Sequence, residues 1–149
     1  MKPVHAILLV EDNPADVEIA RRALGACASP VELIVVRDGQ EAVDYLGADG
    51  DGATPARRTP DLILLDMNLP RLNGLDVLRY IRSNPTLGGV PVVVLTTSRR
   101  PEDVREVYAA GANTYIEKPQ EFGRFVEVLR TVQRYWLDTA LLPPTSDGD

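Results

Sequence analysis

Three stretches of the chain, Ile7-Leu8-Leu9-Val10, Leu62-Ile63-Leu64-Leu65 and Val92-Val93-Val94-Leu95, are unbroken aliphatic runs. A strand with one wet face alternates apolar and polar residues, so an unbroken run requires cover on both faces. Two weaker runs, Glu32 to Val36 and Asn113 to Ile116, read as further strands. Helix-like segments separate them, which predicts a parallel sheet held between two helical layers.

The helices are marked by their ends as much as by their periodicity. Asn13 is a candidate N-cap and Pro14 a first-turn residue for a helix reaching about Ala26, with Ala15, Val17, Ile19, Ala20, Ala23 and Leu24 at mostly helical spacing. Asp38-Gly39 opens a short helix carrying Ala42, Val43 and Leu46. Asn73-Gly74 introduces Leu75, Val77, Leu78 and Ile81, and that helix stops before Pro85. Pro101 starts a helix that Gly111 can end in a left-handed conformation. From about Glu121, the residues Phe122, Phe125, Val126, Leu129, Val132 and Trp136 form an amphipathic stripe. Gly47 to Pro60, rich in Gly, Pro and Asp, reads as a long surface loop.

Strand and helix alternating five times predicts βαβ units with right-handed crossovers. Flavodoxin-like and Rossmann-like arrangements both satisfy this, and both place ligands beyond the carboxyl ends of the strands. The flavodoxin-like order 2-1-3-4-5 is favoured, because it makes the first and third strands neighbours, and both end in acids. The expected architecture is a single α/β (βα)5 domain over residues 1–140, with a flexible tail over 141–149.

Composition narrows the class of partner. A chain of 149 residues with 44% hydrophobic and 26% charged residues is long enough for one full core and too short for two. The formal charge of −6 repels phosphate polyanions, so nucleic acid and anionic membrane are not expected partners. Cys27 stands alone, and no apolar run approaches a membrane span or a signal peptide. The chain reads as cytoplasmic.

The polar residues that interrupt the apolar runs are the candidate site. Glu11-Asp12 ends the first run, Asp66 the third and Thr96-Thr97 the fourth, while Glu117-Lys118 follows the fifth. Neighbouring strands lie about 4.8 Å apart, so acids after the first and third strands would crowd and would need a proton, a cationic side chain or a metal. Oxygen ligands from Glu11, Asp12, Asp66 and a nearby backbone carbonyl suit Mg²⁺ better than Zn²⁺. A carboxylate beside Mg²⁺, with a lysine and a hydroxyl from the next strand ends, has what phosphoryl transfer to an acid requires. Asp66 is therefore assigned as phosphoacceptor, Lys118 and Mg²⁺ as charge stabilisers, and Thr96 as the hydroxyl that reports phosphorylation.

Taken singly, each residue has an ordinary reading. An acid after a strand is often a turn former or N-cap, and Asp38 and Asp61 are left in that role. Thr96 alone would be a capping hydroxyl and Lys118 alone a solvated charge; their joint placement at four strand ends is what marks a site. His5 lacks a partner group and reads as a surface residue. Arg99, Arg100 and Arg105 read as a solvated face.

The segments LLVEDNPADVE, PDLILLDMNLPRLNGLDVL, PVVVLTTS and GANTYIEKP together resemble the receiver domain of bacterial two-component response regulators, from about Ile7 to Trp136. The resemblance implies that Glu11, Asp12, Asp66 and the Asn68 carbonyl surround Mg²⁺ and that Asp66 takes a phosphoryl group from a sensor histidine kinase. It implies further that Thr96 and Tyr115 form the switch pair, and it makes Lys118-Pro119 a candidate cis peptide. Finer similarity, in the long loop, LDMNLP, VVVLTTS and the Tyr135-Trp136 end, points to single-domain regulators that pair with bacterial phytochrome histidine kinases. Glu117 and Gln120 depart from the commoner receiver pattern beside the signalling face, which bears on partner choice.

The leading reading is a stand-alone response regulator, a phosphoacceptor rather than an enzyme, that signals through protein contact or serves as a phosphate sink or shuttle in a phosphorelay. A Mg²⁺-dependent aspartyl-phosphate phosphatase would carry a second acid where this chain has Asn68, and an interaction domain that had lost phosphorylation would lack one of Asp12, Asp66 or Lys118. Val128, Tyr135, Leu137, Leu141 and Leu142 add apolar area at the end of the last helix, and a homodimer built on that helix and its neighbouring surface is expected, with core packing and a kinase-docking face as the alternatives.

Overall fold

A computed structural model describes residues 4–25, 30–47 and 58–143. Cys27 and residues 48–57 of the expected surface loop lie outside the described residues, as do residues 144–149 of the tail. Five strands, β1 (His5–Val10), β2 (Val31–Val36), β3 (Leu62–Asp66), β4 (Val92–Thr96) and β5 (Thr114–Glu117), alternate with five helices: α1 (Pro14–Gly25), α2 (Gly39–Gly47), α3 (Gly74–Ser83), α4 (Pro101–Ala109) and α5 (Phe122–Gln133). The strands form one sheet in the order β2-β1-β3-β4-β5, with every pairing parallel. This is the flavodoxin-like fold. The register pairs Val10 with Leu65 and Asp66 with Leu95, so the residues that follow β1, β3 and β4 emerge at the same edge.

The unbroken runs are buried on both faces because alternate residues serve two cores. Leu8, Val10, Ile63, Leu65, Val92 and Val94 pack under α2, α3 and α4 against Ala42, Val77, Ile81 and Val107. The intervening Ile7, Leu9, Leu62, Leu64, Val93 and Leu95 pack under α1 and α5 against Val17, Leu24, Phe125 and Leu129. Full burial of such side chains contributes about 1.5–3 kcal/mol each, which makes these three strands the fixed frame of the domain.

Local signals in the sequence set the helix ends. Asn13 Oδ1 accepts from the Ala15 and Asp16 amides at 2.9 and 3.2 Å, and Asn73 Oδ1 from the Asp76 amide at 3.0 Å. Asp38 caps α2 through the Glu41 amide at 2.8 Å, while Asp61 Oδ2 accepts from the Ala6 amide at 2.8 Å. Gly111 ends the α4 segment at φ 110, beside the side chain of Arg82. That guanidinium donates to the carbonyls of Gly111 at 2.8 Å and Val90 at 2.8 Å and to Asn113 Oδ1 at 2.8 Å, stapling α3 to the amino-terminal side of β4 and β5.

Two expectations need correction. The Lys118–Pro119 bond is trans, as are all peptide bonds among the described residues. Trans is the lower-energy form of an X-Pro bond by about 0.5–1 kcal/mol, and Lys118 is already held by its own amide, which donates to the Thr96 carbonyl at 2.7 Å. The last helix also departs from simple periodicity. Arg134–Thr139 is a π-helical turn in which the Ala140 amide donates to the Tyr135 carbonyl at 2.7 Å. The extra residue per turn carries Leu137 into the core at 6% exposure and leaves Trp136 half-buried, and at the other end of α5 Phe122, expected in the buried stripe, is exposed in the first turn. Leu142 also packs against the α1–α5 core, so of the five apolar residues expected on the dimer surface only Tyr135 and Leu141 are exposed.

Candidate functional site

Each group of the site stands at or just beyond the carboxyl end of a strand. Glu11 and Asp12 follow β1, Asp66 is the last residue of β3, Thr96 the last of β4, and Lys118 follows β5. Glu11, Asp66 and Thr96 are buried, at 3%, 6% and 1% exposure, whereas Asp12 is exposed. Backbone bonds hold the chain around these residues: the Glu11 amide donates to the Val36 carbonyl at 3.0 Å, the Gly74 amide to the carbonyl of Met67, next to Asp66, at 3.0 Å, and the Lys118 amide to the Thr96 carbonyl at 2.7 Å.

Glu11, Asp12 and Asp66 each offer a carboxylate oxygen, and these atoms lie within 4.8 Å of one another. Lys118 reaches into the cluster from the fifth strand. Its Nζ is 2.7 Å from Glu11 Oε1, 3.0 Å from Asp16 Oδ2 and 3.7 Å from Asp66 Oδ2. Two backbone amides complete the contacts: Asn13 N–H donates to Glu11 Oε2 at 3.2 Å and Asn68 N–H to Asp66 Oδ1 at 3.4 Å.

Electrostatics follow from crowding and burial. Burial pushes the Glu11 carboxyl up to about 7, opposed by the hydrogen bond from Lys118 and reinforced by the charge of Asp66. Burial also raises Asp66, against the pull of Lys118 and the Asn68 amide. Desolvation alone would lower Lys118, but its hydrogen bond to Glu11 and the charges of Asp66 and Glu11 outweigh that and hold it above its ordinary value. Three carboxylates, two of them buried, and one ammonium leave an excess of negative charge on closely spaced oxygen donors. Such a donor set fits a hard divalent cation that keeps part of its hydration.

Beyond Asp66 a cleft of about 290 Å³ runs toward β5, lined by Asn68, Leu75, Thr96, Ser98, Val107 and Tyr115. Thr96 Oγ1 accepts from the Ser98 amide at 3.4 Å. Tyr115 packs its ring against the core and donates from its hydroxyl to the Ser98 carbonyl at 2.7 Å. Thr96 and Tyr115 are thus joined through one residue of the loop between β4 and α4. Glu117 stays exposed and faces Arg99 at 3.7 Å.

The structure therefore gathers Glu11, Asp12, Asp66 and Lys118 at one point, and places Asn68, Thr96 and Tyr115 along the adjoining cleft. Sequence reasoning missed Asp16 and the pair Ser98 and Asp103. An acid in the first turn of a helix reads as a partner of the helix dipole, which concealed the contact of Asp16 with Lys118. Ser98 Oγ donates to Asp103 Oδ2 at 2.6 Å, and Arg100 grips the same carboxylate through Nε and Nη2, both at 3.1 Å. The Pro101 helix start was legible, but nothing in the spacing tied it to Tyr115.

Comparison with known proteins agrees with this geometry. Residues 7–130 match the family model of the response regulator receiver domain. The response regulator Rcp1 of Synechocystis sp. is 39% identical over 141 residues, covering 95% of each chain. The crystal structure of the phosphorylated cyanobacterial phytochrome response regulator RcpA superposes with a TM-score of 0.87 at 42% identity, covering 95% of this chain and 99% of that one. A Mn²⁺-bound form of Rcp1 superposes with a TM-score of 0.85 at 38% identity, covering 93% and 99%. The chain belongs to the response regulator receiver domain family.

Proposed function

We propose that this chain is a response regulator whose Asp66 accepts a phosphoryl group from a sensor histidine kinase of the phytochrome type. The observation that carries the reading is the Lys118 ammonium standing 3.7 Å from Asp66 beside a three-carboxylate cluster. The likeness to a phosphorylated phytochrome regulator supports the choice of kinase.

In the transfer, an Asp66 carboxylate oxygen forms a bond to phosphorus as the bond to the kinase histidine nitrogen breaks; the nitrogen leaves with the electron pair and takes up a proton. Glu11, Asp12, Asp66 and the Asn68 carbonyl would hold Mg²⁺, which would supply charge neutralisation there; the Mn²⁺-bound form of Rcp1 supports a divalent cation at this site. Lys118 neutralises a second part of the charge, and the Asn68 amide orients the Asp66 carboxylate. Burial of Asp66 excludes bulk water from the acyl phosphate.

Thr96 then turns its hydroxyl toward the phosphoryl oxygens, and the β4–α4 loop follows. Because Tyr115 is bonded to Ser98 of that loop, its ring moves with it and alters the surface made by α4, β5 and α5. Taking such a switch from 1:99 to 99:1 needs about 5.5 kcal/mol of differential stabilisation, a sum within reach of several charge-assisted hydrogen bonds. The exposed Phe122, Tyr135 and Leu141 on and beyond α5 offer the apolar area of a homodimer. No helix among the described residues is long and apolar enough to cross a membrane; the likeness to the response regulator Rcp1 supports the cytoplasm as the site of action.

The direct test is phosphotransfer. A phytochrome-type histidine kinase labelled on its histidine is expected to pass the label to the wild-type chain and not to Asp66→Asn; retention of label on the kinase, or equal transfer to both, would overturn the reading.

A further inference from the structure

Asp16 has no role in the chemistry above, yet its Oδ2 stands 3.0 Å from Lys118 Nζ. An ammonium carries three hydrogens. Glu11 takes one at 2.7 Å and Asp16 takes another, while Asp66 lies at 3.7 Å, outside hydrogen-bond range. The two bonded carboxylates are drawn from the end of β1 and the first turn of α1, so Lys118 is held toward α1 and off Asp66.

The contact has the marks of a constraint rather than of a loose surface pair. The Lys118 side chain is 9% exposed and that of Asp16 19%, so water competes weakly for either. The Asp16 backbone is itself fixed, because its amide donates to Asn13 Oδ1 at 3.2 Å in the cap of α1. A neighbouring acid on the same helix, Glu18, shows the contrast: it is 58% exposed and pairs with Arg22 at 3.3 Å.

We propose that Asp16 is a positioning residue that tethers the Lys118 ammonium on the α1 side of the pocket and thereby lowers the phosphorylated fraction of Asp66. The inference rests on the reading of Asp66 as phosphoacceptor. Two effects act in the same direction. Phosphorylation replaces a carboxylate by a dianion that needs Lys118 more strongly, and Asp16 competes for it with a charge-assisted hydrogen bond. Asp16 also adds a fourth negative charge to Glu11, Asp12 and Asp66, which disfavours arrival of a further one.

The test uses the full chain with Mg²⁺ and acetyl phosphate as donor, and reads the rate of labelling relative to the rate of label loss. Asp16→Asn, which keeps the shape and removes the charge, is expected to raise that ratio about three- to tenfold. Asp16→Glu, whose longer carboxylate still reaches Nζ, is expected to return toward wild type, and Glu18→Gln to stay within about twofold of it. A spectroscopic readout is available because the chain contains only two lysines, Lys2 and Lys118. With ¹⁵N-labelled lysine and no donor present, the Lys118 ammonium of Asp16→Asn is expected to exchange its hydrogens faster and to shift its resonance.

An unchanged or lower ratio in Asp16→Asn, an equal rise in Glu18→Gln, or loss of thermal stability with no change in ratio or resonance would overturn the tether. A wild type that takes no label would instead refute the phosphoacceptor reading, and the ammonium resonance would still decide whether Asp16 holds Lys118.

Discussion

Tyr115 Oη donates to the Ser98 carbonyl at 2.7 Å, so a ring carried by β5 is fastened to the loop that leaves Thr96. The same Ser98 donates from Oγ to Asp103, which Arg100 grips through two nitrogens. The loop between Thr96 and α4 is therefore clamped by side chains of its own, and the position of Tyr115 depends on them.

Replacing Asp103 by Asn removes the charge from both bonds and is expected to loosen Tyr115. Hydrogen bonds from Arg100 and then Ser98 hold the Asp103 carboxyl below its usual range. A depressed pKa means that the clamp is complete above the ordinary carboxylate range and is lost as pH falls through the lowered value. The ring resonances of ¹³C-labelled Tyr115 should shift in Asp103→Asn and in Ser98→Ala in the same sense, and in wild type on acidification. Resonances that stay in place in both variants would contradict the clamp.

Gly74 shows how closely the site depends on one backbone approach. A Cβ there would lie 2.3 Å from the Asp66 carbonyl oxygen and 2.7 Å from Met67 Cα, both backbone atoms that cannot step aside. Gly74→Ala is expected to cost about 1–3 kcal/mol in denaturant unfolding and to depress labelling of Asp66 beyond what the lost stability explains. Labelling at the wild-type rate would show that the approach of α3 to β3 does not set the carboxylate.

The frame of the protein was legible because unbroken Val, Ile and Leu runs admit burial on both faces and little else; Asp66 was legible because it ends such a run, and Lys118 because it follows the weaker fifth strand at the same sheet edge. Asn13, Asp38 and Asn73 announced helix starts through capping chemistry that acts within three residues. What escaped depended on contacts across the chain. Asp16 meets Lys118 over a separation of 102 residues, and Ser98 meets Tyr115 over 17, distances at which spacing carries no signal. The π turn escaped for another reason: a 3.6-residue period puts Trp136 on the buried face, and only the packed structure shows Leu137 buried there with Trp136 half-buried beside it.

The end of the last helix separates packing from association. Leu137 is buried at 6% exposure, so Leu137→Ala is expected to cost about 2–4 kcal/mol in unfolding. Tyr135 is 53% exposed, and Tyr135→Ala should leave stability within about 0.5 kcal/mol while weakening self-association in sedimentation. A wild type that sediments as a monomer at every concentration, with and without phosphorylation, would remove the proposed dimer.

Glu11 gives the metal-free protein a distinctive pH dependence. Its carboxyl is raised from 4.5 to about 7 in the folded state, first by burial. Between those values the folded state binds more protons than the unfolded one, so stability contributed by the neutral carboxyl is full below 4.5 and falls as pH rises through about 7. A divalent cation requires the ionised carboxylates and binds only the folded site, so its stabilising effect grows over the same interval. Thermal unfolding with a chelator should show a midpoint that falls between roughly pH 5 and pH 8, and added Mg²⁺ should offset most of that fall. Equal midpoints with and without Mg²⁺ near pH 8 would contradict the assignment of the acidic cluster as a metal site.

Phosphorylation of Asp66 is the chemistry on which every other proposed role depends. Intact-mass measurement after incubation with acetyl phosphate is expected to show one phosphoryl group per chain in wild type with Mg²⁺, removed by hydroxylamine, and none with a chelator or in Asp66→Asn. Equal labelling of Asp66→Asn, or wild-type labelling indifferent to Mg²⁺, would contradict it.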